Sequence, residues 1–255
     1  MTRRWENGLA ALSQAWAVAA KDMRVYYLNP PMLMFGLILP VLLFFSFALR
    51  RGMPVETGIV HLMAMTLFFT ASTAGPVVLI LERRIGTFDR LLTAPMSLRT
   101  LLFGKTLVGV IFAVAVATLP PLVGLAVFRV RVAHAPMLAL TVILSALTFS
   151  AMGVLFGCFP AQSLGNVMMP ASLIRWPLLF VSGLFIPLEA LPVWARAISF
   201  LSPLTYSFDA LSWSLQGGGK QPVFLDVVML PAIMVVFLAA AVRLHQRTRR
   251  LGYQA

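Results

Sequence analysis

Six long apolar runs constrain the fold of this chain more than any other feature. A helix needs about 20 apolar residues to cross the roughly 30 Å hydrocarbon core of a bilayer, and each run reaches or approaches that length. Hydrocarbon offers the backbone no hydrogen-bond partners, so runs of this length are predicted to be helices. We therefore expect an all-α polytopic membrane protein with six transmembrane helices, at residues 31–49, 59–81, 106–128, 136–159, 167–187 and 223–242.

The distribution of charge predicts the orientation of these spans. The net charge of +12 in 255 residues would suggest nucleic-acid binding in a soluble protein, but the basic residues here flank apolar runs. Thirteen of the 20 Lys and Arg fall on one side of the predicted spans, and such an excess marks the cytoplasmic side. We predict a multi-pass protein of a bacterial or archaeal plasma membrane, with both termini cytoplasmic and no nucleic-acid partner.

The N-terminal segment, residues 1–29, is expected to lie outside the transmembrane domain of residues 30–255. Apolar residues recur in it at helical spacing, which favours an amphipathic helix in the cytoplasmic membrane interface. They are Trp5, Leu9, Leu12, Trp16, Ala19 and Met23, with Lys21 and Asp22 on the other face. A cleaved secretory signal and a disordered tail are the alternatives.

A short charged segment, residues 82–95, follows the second predicted span. Thr87 suits a helix N-cap, Asp89 suits the first turn, and Pro95 stops the helix, so two helical turns are predicted at 87–94. Phe88, Leu91 and Leu92 share one side of this helix. Such a stripe packs against the protein's own spans or binds a partner, and the residue pattern alone leaves both open.

A longer segment, residues 188–222, connects the fifth and sixth spans at the outer face. It contains two amphipathic stretches, and we expect short helices there. Trp194, Tyr206 and Trp213 suit headgroup depth. The alternative is an ordinary loop with aromatic anchors.

Side chains suited to catalysis are sparse. The three histidines lie near span ends, Ser182-Gly183 lacks the partners of an intramembrane protease, and Gly217-Gly218-Gly219-Lys220 lacks the flanking residues of a phosphate-binding loop. The single cysteine, Cys158, excludes an intramolecular disulfide. We therefore predict no catalytic residues, metal site or cofactor in this chain.

Arg175 is the one charge placed well inside a predicted span. Pro170 and Pro177 flank it and predict a kinked or broken helix, which the bilayer tolerates where the helix faces protein or a water-filled cavity. Arg175 is a candidate for a transport path, and a snorkelling arginine near the span end is the alternative. Thr70, Ser72 and Thr73 are further candidates, although most small residues of this kind serve helix packing.

Two stretches of this chain contain motifs in a characteristic order. The first is Glu82-Arg-Arg-Ile-Gly-Thr-Phe-Asp-Arg-Leu-Leu-Thr-Ala-Pro95, followed by Leu102-Phe-Gly-Lys105. The second comprises Ser182-Gly-Leu-Phe-Ile-Pro187, Leu191-Pro192-x-Trp194 and Ser202-Pro-Leu-Thr-Tyr206. Together they resemble the membrane subunit of type-2 ATP-binding-cassette (ABC) transporters, a group of six-span permeases that includes drug, polysaccharide and lipo-oligosaccharide exporters. Ser202 replaces the usual Asn, and Arg175 matches no signature of the group.

The resemblance implies that residues 87–94 are the coupling helix, which docks in a cleft of a separate ABC ATPase subunit. Phe88, Leu91 and Leu92 would be the docking face. The implied coupling residues are Glu82, Gly86, Thr87, Phe88, Asp89, Arg90, Leu91, Leu92 and Pro95, and the outer-face motif is Ser182, Gly183, Pro187, Pro192, Trp194, Pro203 and Tyr206.

The resemblance also implies the assembly and its activity. Two ATPase subunits would carry ATP and Mg²⁺, a second permease subunit would complete a dimer, and residues 188–222 would form re-entrant helices. The expected activity is ATP-driven export of a hydrophobic or amphiphilic substrate, such as a drug, a lipid or a glycan-linked compound. A secondary transporter and an intramembrane enzyme are the alternatives.

Overall fold

The computed structural model describes residues 2–26, 34–48, 52, 54–93, 96–159 and 163–250, and every regular element within these ranges is helical. In chain order the elements are α1 (Thr2–Tyr26), a π-helix (Met34–Ile38) continued by α2 (Leu39–Ala48), α3 (Val55–Arg84), α4 (Thr87–Leu92), α5 (Leu98–Ala117), α6 (Leu119–Phe128), α7 (Ala135–Gly157), α8 (Leu164–Val181), a 3₁₀ turn (Leu188–Ala190), α9 (Val193–Ser199), α10 (Pro203–Gln216) and α11 (Val223–Arg250). The predicted all-α class is confirmed.

Five helical segments are long and apolar enough to cross a membrane, and they match the second to sixth predicted spans. They are Val55–Arg84, Leu98–Phe128, Ala135–Gly157, Leu164–Val181 and Val223–Arg247. The first predicted span, residues 31–49, lies partly outside the described residues, and its described part at 34–48 is helical. A count of six spans stays a prediction.

Two spans differ in detail from the sequence prediction. The third consists of α5 and α6, which meet at Thr118, and Pro120 lies in the first turn of α6, where proline leaves no hydrogen bond unmade. The fifth, α8, continues through Pro170 and Pro177, so the expected break is absent. It ends at Val181 rather than near Pro187, because Gly183 adopts a left-handed φ of 87°.

Helix α3 lies at the centre of the bundle, in close contact with α5 and α7. A Cβ atom added to Gly75 of α3 would lie 2.5 Å from the backbone of Gly153 in α7, and one added to Gly109 of α5 would lie 2.9 Å from the carbonyl oxygen of Ala71. Backbones approach this closely only where side chains are missing or very small. Small residues in the second and fourth predicted spans therefore line the contact between α3 and α7.

Hydroxyl groups on α7 connect it to three neighbouring helices. Ser150 donates to the carbonyl oxygen of Thr106 in α5 (2.6 Å), and Thr148 donates to that of Leu230 in α11 (2.9 Å). Ser207 of α10 donates to the hydroxyl of Ser145 (2.7 Å). Hydrogen bonds of this kind hold helices together in hydrocarbon, where apolar burial supplies little association energy.

Helix α1 packs along α5 through small residues. Ala15, Val18 and Ala19 are buried, and a Cβ on Gly104 would lie 2.8 Å from the carbonyl oxygen of Ala15. Leu12 and Trp16, one helical turn apart, stay exposed and form an apolar surface next to the bundle. The predicted helix is confirmed, and its location in the membrane interface stays a prediction.

The close approach of α3 and α7 predicts a sharp response to a single methyl group. Gly75→Ala must push the two backbones apart, because its new Cβ meets main-chain atoms that cannot rotate away. We expect a loss of about 1–3 kcal/mol in the free energy of unfolding, measured by denaturation of the purified protein in mixed micelles.

Gly165→Ala in the first turn of α8 is the matched control, because a Cβ there meets nothing within 4 Å. This variant should be as stable as the parent or slightly more stable. Equal stability of both alanine variants would contradict the close-packing interpretation.

Candidate functional site

Helix α4 is the predicted coupling helix, and it directly follows α3. Gly86 adopts a left-handed φ of 69° between the two helices, a conformation that residues with a Cβ rarely adopt. The helix covers Thr87–Leu92, slightly less than the predicted 87–94, and Ala94 and Pro95 lie outside the described residues. The hydroxyl of Thr87 donates to the carbonyl oxygen of Glu82 (3.4 Å), which ties α4 to the end of α3.

Phe88 points into the bundle. Its side chain is 3% exposed and packs with Leu101 and Leu102 of α5 and with Val154 of α7. The ring also lies 5.4 Å from that of His245 in α11 and 5.4 Å from the guanidinium carbon of Arg83. Our placement of Phe88 on an exposed docking face is corrected: it anchors α4 to the transmembrane helices.

The exposed surface around α4 has a different composition. Ile85 is 61% exposed, although it is a large apolar residue just before the helix, and Arg84 and Arg90 are exposed beside it. Leu91 is half-buried against the cluster that holds Phe88. The side chains of Asp89 and Leu92 lie outside the described part of the chain. Sequence analysis overlooked Ile85, because it precedes the helix and belongs to no periodic stripe.

Four charged side chains form a buried cluster at the end of α3, directly behind α4. Nζ of Lys105 in α5 lies 2.6 Å from Oδ2 of Asp22 in α1 and also pairs with Glu82 of α3. Nζ of Lys21 lies 2.7 Å from Oδ1 of Asp22 and pairs with Glu82 as well. Two cations therefore share two carboxylates, and the cluster is electrically neutral.

Burial makes this neutrality necessary. The side chains of Asp22, Glu82 and Lys105 are fully buried, while Lys21 is partly exposed. An unpaired ion in such a place costs several kcal/mol, so each member depends on the others. Burial by itself would lower the pKa of Lys21, but its hydrogen bonds and attraction to Asp22 and Glu82 outweigh that effect and raise the pKa above its usual value.

This four-charge cluster joins α1, α3 and α5 near the point where α3 ends and α4 follows. Sequence analysis placed Asp22 on the polar face of an interfacial helix, and that interpretation missed its burial. Glu82 and Lys105 belonged to the family motif, but no local pattern connects Asp22 with a lysine 83 residues later. The end of α3, which α4 directly follows, is thus tied to α1 and α5.

Arg175 lies inside the bundle rather than at its cytoplasmic edge. It is 1% exposed, donates from Nη2 to the backbone carbonyl of Ser72 in α3, and lies 5.5 Å above the ring of Phe156 in α7. Pro76 explains why that carbonyl is available: it stands four residues after Ser72 and has no N–H to donate. The guanidinium supplies the missing donor, and the snorkelling alternative is wrong.

The other candidate path residues also donate hydrogen bonds to backbone carbonyls. Thr70, Ser72 and Thr73 are fully buried. The hydroxyls of Ser72 and Thr73 donate to carbonyl oxygens of their own helix, at 2.6 Å each. Thr70 donates to the carbonyl oxygen of Gly36 in the π-helix and so ties α3 to that segment. Their part in a transport path stays a prediction.

The outer-face motif folds into a turn and three short helical segments at the opposite end from α4. Ser182 donates to the carbonyl of Leu179 (2.8 Å), and Pro187, Pro192 and Pro203 stand at the starts of the 3₁₀ turn, α9 and α10. His61 near the start of α3 lies 2.8 Å from the carbonyl oxygen of Leu184, which fixes the turn to the bundle.

The three aromatic residues expected at headgroup depth lie in different environments. Trp194 is exposed, as a headgroup anchor requires, and stays a candidate for one. Tyr206 is buried and its hydroxyl donates to the carbonyl of Phe200 (2.7 Å), so it is held inside the protein, and its location at headgroup depth stays a prediction. Trp213 stacks on His134 with ring centroids 4.4 Å apart.

The four-charge cluster predicts a large penalty for unbalancing it. Lys105→Met leaves two buried carboxylates with one cation, and we expect a loss of about 3–5 kcal/mol in the free energy of unfolding. Adding Asp22→Asn restores neutrality and should recover part of that loss. The measurement is denaturation of the purified variants in mixed micelles.

Lys220→Met is the matched control, because Lys220 pairs with Glu189 at 2.8 Å on the exposed surface. Solvent screens this pair, so its loss should change stability little. A Lys105→Met variant as stable as Lys220→Met would refute the proposed dependence of the buried charges on one another.

The contact between Arg175 and the carbonyl freed by Pro76 predicts a coupling between these two residues. In a Pro76→Ala background the new N–H can bond to Ser72, so Arg175→Met should cost about 1–3 kcal/mol less there than in the parent. Pro231→Ala is the control background, since Pro231 belongs to α11 and not to α3. An equal cost of Arg175→Met in all three backgrounds would disprove the coupling.

Two named permeases are similar to this chain in sequence. Over 163 residues the chain is 27% identical to the inner membrane transport permease YadH of Escherichia coli K12, a match that covers 64% of this chain and 63% of that relative. Over 131 residues it is 24% identical to YbhR of the same strain, named as a probable multidrug ABC transporter permease, covering 50% of this chain and 35% of that protein. The chain thus spans a little under two thirds of the length of the first relative.

The family comparison covers more of the chain than either relative does. The family model for the ABC-2 type transporter matches residues 13–215, which include α4, the four-charge cluster and the whole outer-face motif. This chain belongs to the ABC-2 type transporter family.

Proposed function

We propose that this chain is the permease subunit of an ABC transporter and exports a hydrophobic or amphiphilic substrate at the expense of ATP hydrolysed by separate subunits. One observation carries the proposal: a short helix with an exposed apolar residue at its start is anchored by Phe88 and lies directly beside a buried ion cluster. Such a helix can receive a force from outside the bundle and pass it to several spans.

Docking of the ATPase is assigned to the exposed surface around α4. Ile85 offers an apolar contact that is 61% exposed among the described residues, and Arg84 and Arg90 add positive charge beside it. Apolar residues at the centre of a polar rim are the usual anchors of protein interfaces. Asp89, Leu91 and Leu92 remain proposed coupling residues, while Phe88 acts from the inner side of α4.

Transmission then follows the contacts of α4. Movement of Phe88 acts on α5, α7 and α11 through the apolar cluster around it, and movement of Glu82 acts on α1 and α5 through the ion pairs. Buried ion pairs have few alternative arrangements, since a misplaced charge is costly. The end of the bundle therefore responds as a unit, which suits a device driven by the closing of ATPase subunits.

The remaining parts of the assembly are proposed from family membership. Two ATPase subunits would carry ATP and Mg²⁺, and both termini would be cytoplasmic with α4. Helix α8 exposes Met169 and Leu173 one turn apart, a surface suited to lipid or to a second permease subunit. Arg175, Thr70, Ser72 and Thr73 would shape the walls of the transport path by fixing α3 and its neighbours. The name of YbhR supports export, and the substrate class is our proposal.

Ile85→Asp tests the docking assignment. Burying a carboxylate in an apolar contact is unfavourable, so the amount of ATPase that co-purifies with the tagged permease should fall roughly tenfold or more. Ile85→Val should retain the ATPase. Ile198→Asp is the matched control, because Ile198 is an exposed isoleucine of α9 at the opposite end of the bundle.

Permease abundance in the membrane serves as the folding control for all three variants. Undiminished ATPase with Ile85→Asp, at normal permease abundance, would overturn the docking assignment. Transport driven by an ion gradient in liposomes that contain this chain alone would instead favour a secondary transporter.

A further inference from the structure

An apolar cavity of about 460 Å³ lies between α2, α3 and α6, at the end of the bundle opposite α4. Pockets that bind small ligands commonly measure about 300–1,000 Å³, so this one is large enough for a ligand. The residues that form its walls come from all three helices and include Phe44, Phe45, Ile59, Leu62, Leu119 and Val123.

The described lining of the cavity is almost entirely apolar. Thr66 is the only polar side chain among the described lining residues, and its hydroxyl already donates to the carbonyl oxygens of Leu62 (2.8 Å) and Met63 (2.9 Å). Water enters a cavity only where it finds two or more polar partners. The natural occupant is therefore a hydrocarbon chain.

The cavity opens sideways, toward the surface that faces lipid. Three of its lining residues, Phe45, Val123 and Phe128, are more than half exposed. Val123 and Phe128 belong to the candidate span Leu98–Phe128, and the opposite wall belongs to the span Val55–Arg84. An acyl chain of a bilayer lipid can thus enter without crossing a polar barrier.

Positive charge marks the end of the bundle where this cavity lies. Arg129 directly follows the lining residue Phe128 and ends α6 in a left-handed conformation with φ 55°. Arg129 and Arg131 are exposed, and neither forms an ion pair within the described parts of the chain. Glu56, exposed beside the lining residue Val55, is the acidic residue nearest in sequence to the lining. Arg129 thus adjoins the lining in sequence, and Arg131 follows two residues later.

We propose that this cavity binds one acyl chain of an anionic phospholipid whose phosphate lies against Arg129 and Arg131. The site combines an apolar space large enough for one acyl chain with cations at its edge. Such a lipid carries a hydrocarbon chain that fits the space and an anionic phosphate that attracts the cations. It goes beyond the proposed function, because the permease alone forms it and no ATPase is needed. In the orientation proposed above, the lipid belongs to the outer leaflet.

Photolabelling of the full chain in lipid nanodiscs tests the site. Phosphatidylglycerol with a diazirine in its acyl chain is the probe, and phosphatidylcholine with the same chain is the reference. After irradiation, mass spectrometry of the digest should place the label on peptides that contain Phe44, Leu62 or Val123. Phosphatidylglycerol should label them about fivefold more than phosphatidylcholine, since cationic side chains favour anionic lipid.

Two sets of variants separate the parts of the proposal. Val123→Trp fills the cavity and should reduce labelling by about tenfold, because a buried acyl chain loses several methylene contacts. Val236→Trp is the matched control: Val236 of α11 is 63% exposed, against 52% for Val123, and does not line the cavity. Arg129→Gln combined with Arg131→Gln should reduce phosphatidylglycerol labelling to the level of phosphatidylcholine.

Three outcomes would overturn the proposal. They are even labelling of all lipid-facing helices, equal labelling of the Val123→Trp and Val236→Trp variants, and a phosphatidylglycerol preference that survives loss of both arginines. If the Val123→Trp variant does not reach the membrane, Val123→Phe fills less of the cavity and should give a smaller reduction in the same direction.

Discussion

The rest of this structure depends on the ion pairs that join Asp22, Glu82, Lys21 and Lys105. They bring an N-terminal helix, the central span and the start of the next span to one point, and they do so with equal numbers of both charges. Buried ion pairs add little net stability compared with apolar packing, but they tolerate few alternative arrangements. In this protein the ion pairs fix the position of the end of α3. Gly86 and Thr87 connect α4 directly to that end, so the position of α4 is fixed as well.

A second constraint, the loss of backbone donors at prolines, explains why a polar side chain lies buried among the spans. Each proline inside a spanning helix removes one backbone donor, and hydrocarbon supplies no substitute. Arg175 donates to the carbonyl oxygen of Ser72, which Pro76 leaves without its helical donor. An arginine in the middle of a span is thus accounted for by backbone chemistry within the chain, before any substrate is considered.

Much of this architecture could be predicted from sequence, because the bilayer imposes a local rule. Long apolar runs must be helices, and each of the second to sixth predicted spans contains one, although the fifth ends at Val181 rather than at Pro187. Short-range turn signals at Thr87 likewise predicted a short helix near its observed place.

Sequence could not predict features that depend on direction or on distant partners. A stripe of Phe88 and Leu91 defines one side of a helix but does not say whether that side faces the bundle. The pairing of Asp22 with Lys105 joins residues that share no local pattern, and the buried hydroxyl contact of Tyr206 depends on how α10 packs. Ile85 escaped notice because a single exposed apolar residue has no periodicity.

The glycine contacts among α3, α5 and α7 also divide the molecule into a part that stays fixed and parts that can slide. Backbones in direct contact cannot shear past each other without separating, whereas helices that meet through flexible side chains can. Helix α11 is the most exposed of the candidate spans, and α8 meets α3 through the long side chain of Arg175. A cycle that opens and closes a passage would therefore move α8 and α11 relative to a three-helix frame whose members keep their mutual packing.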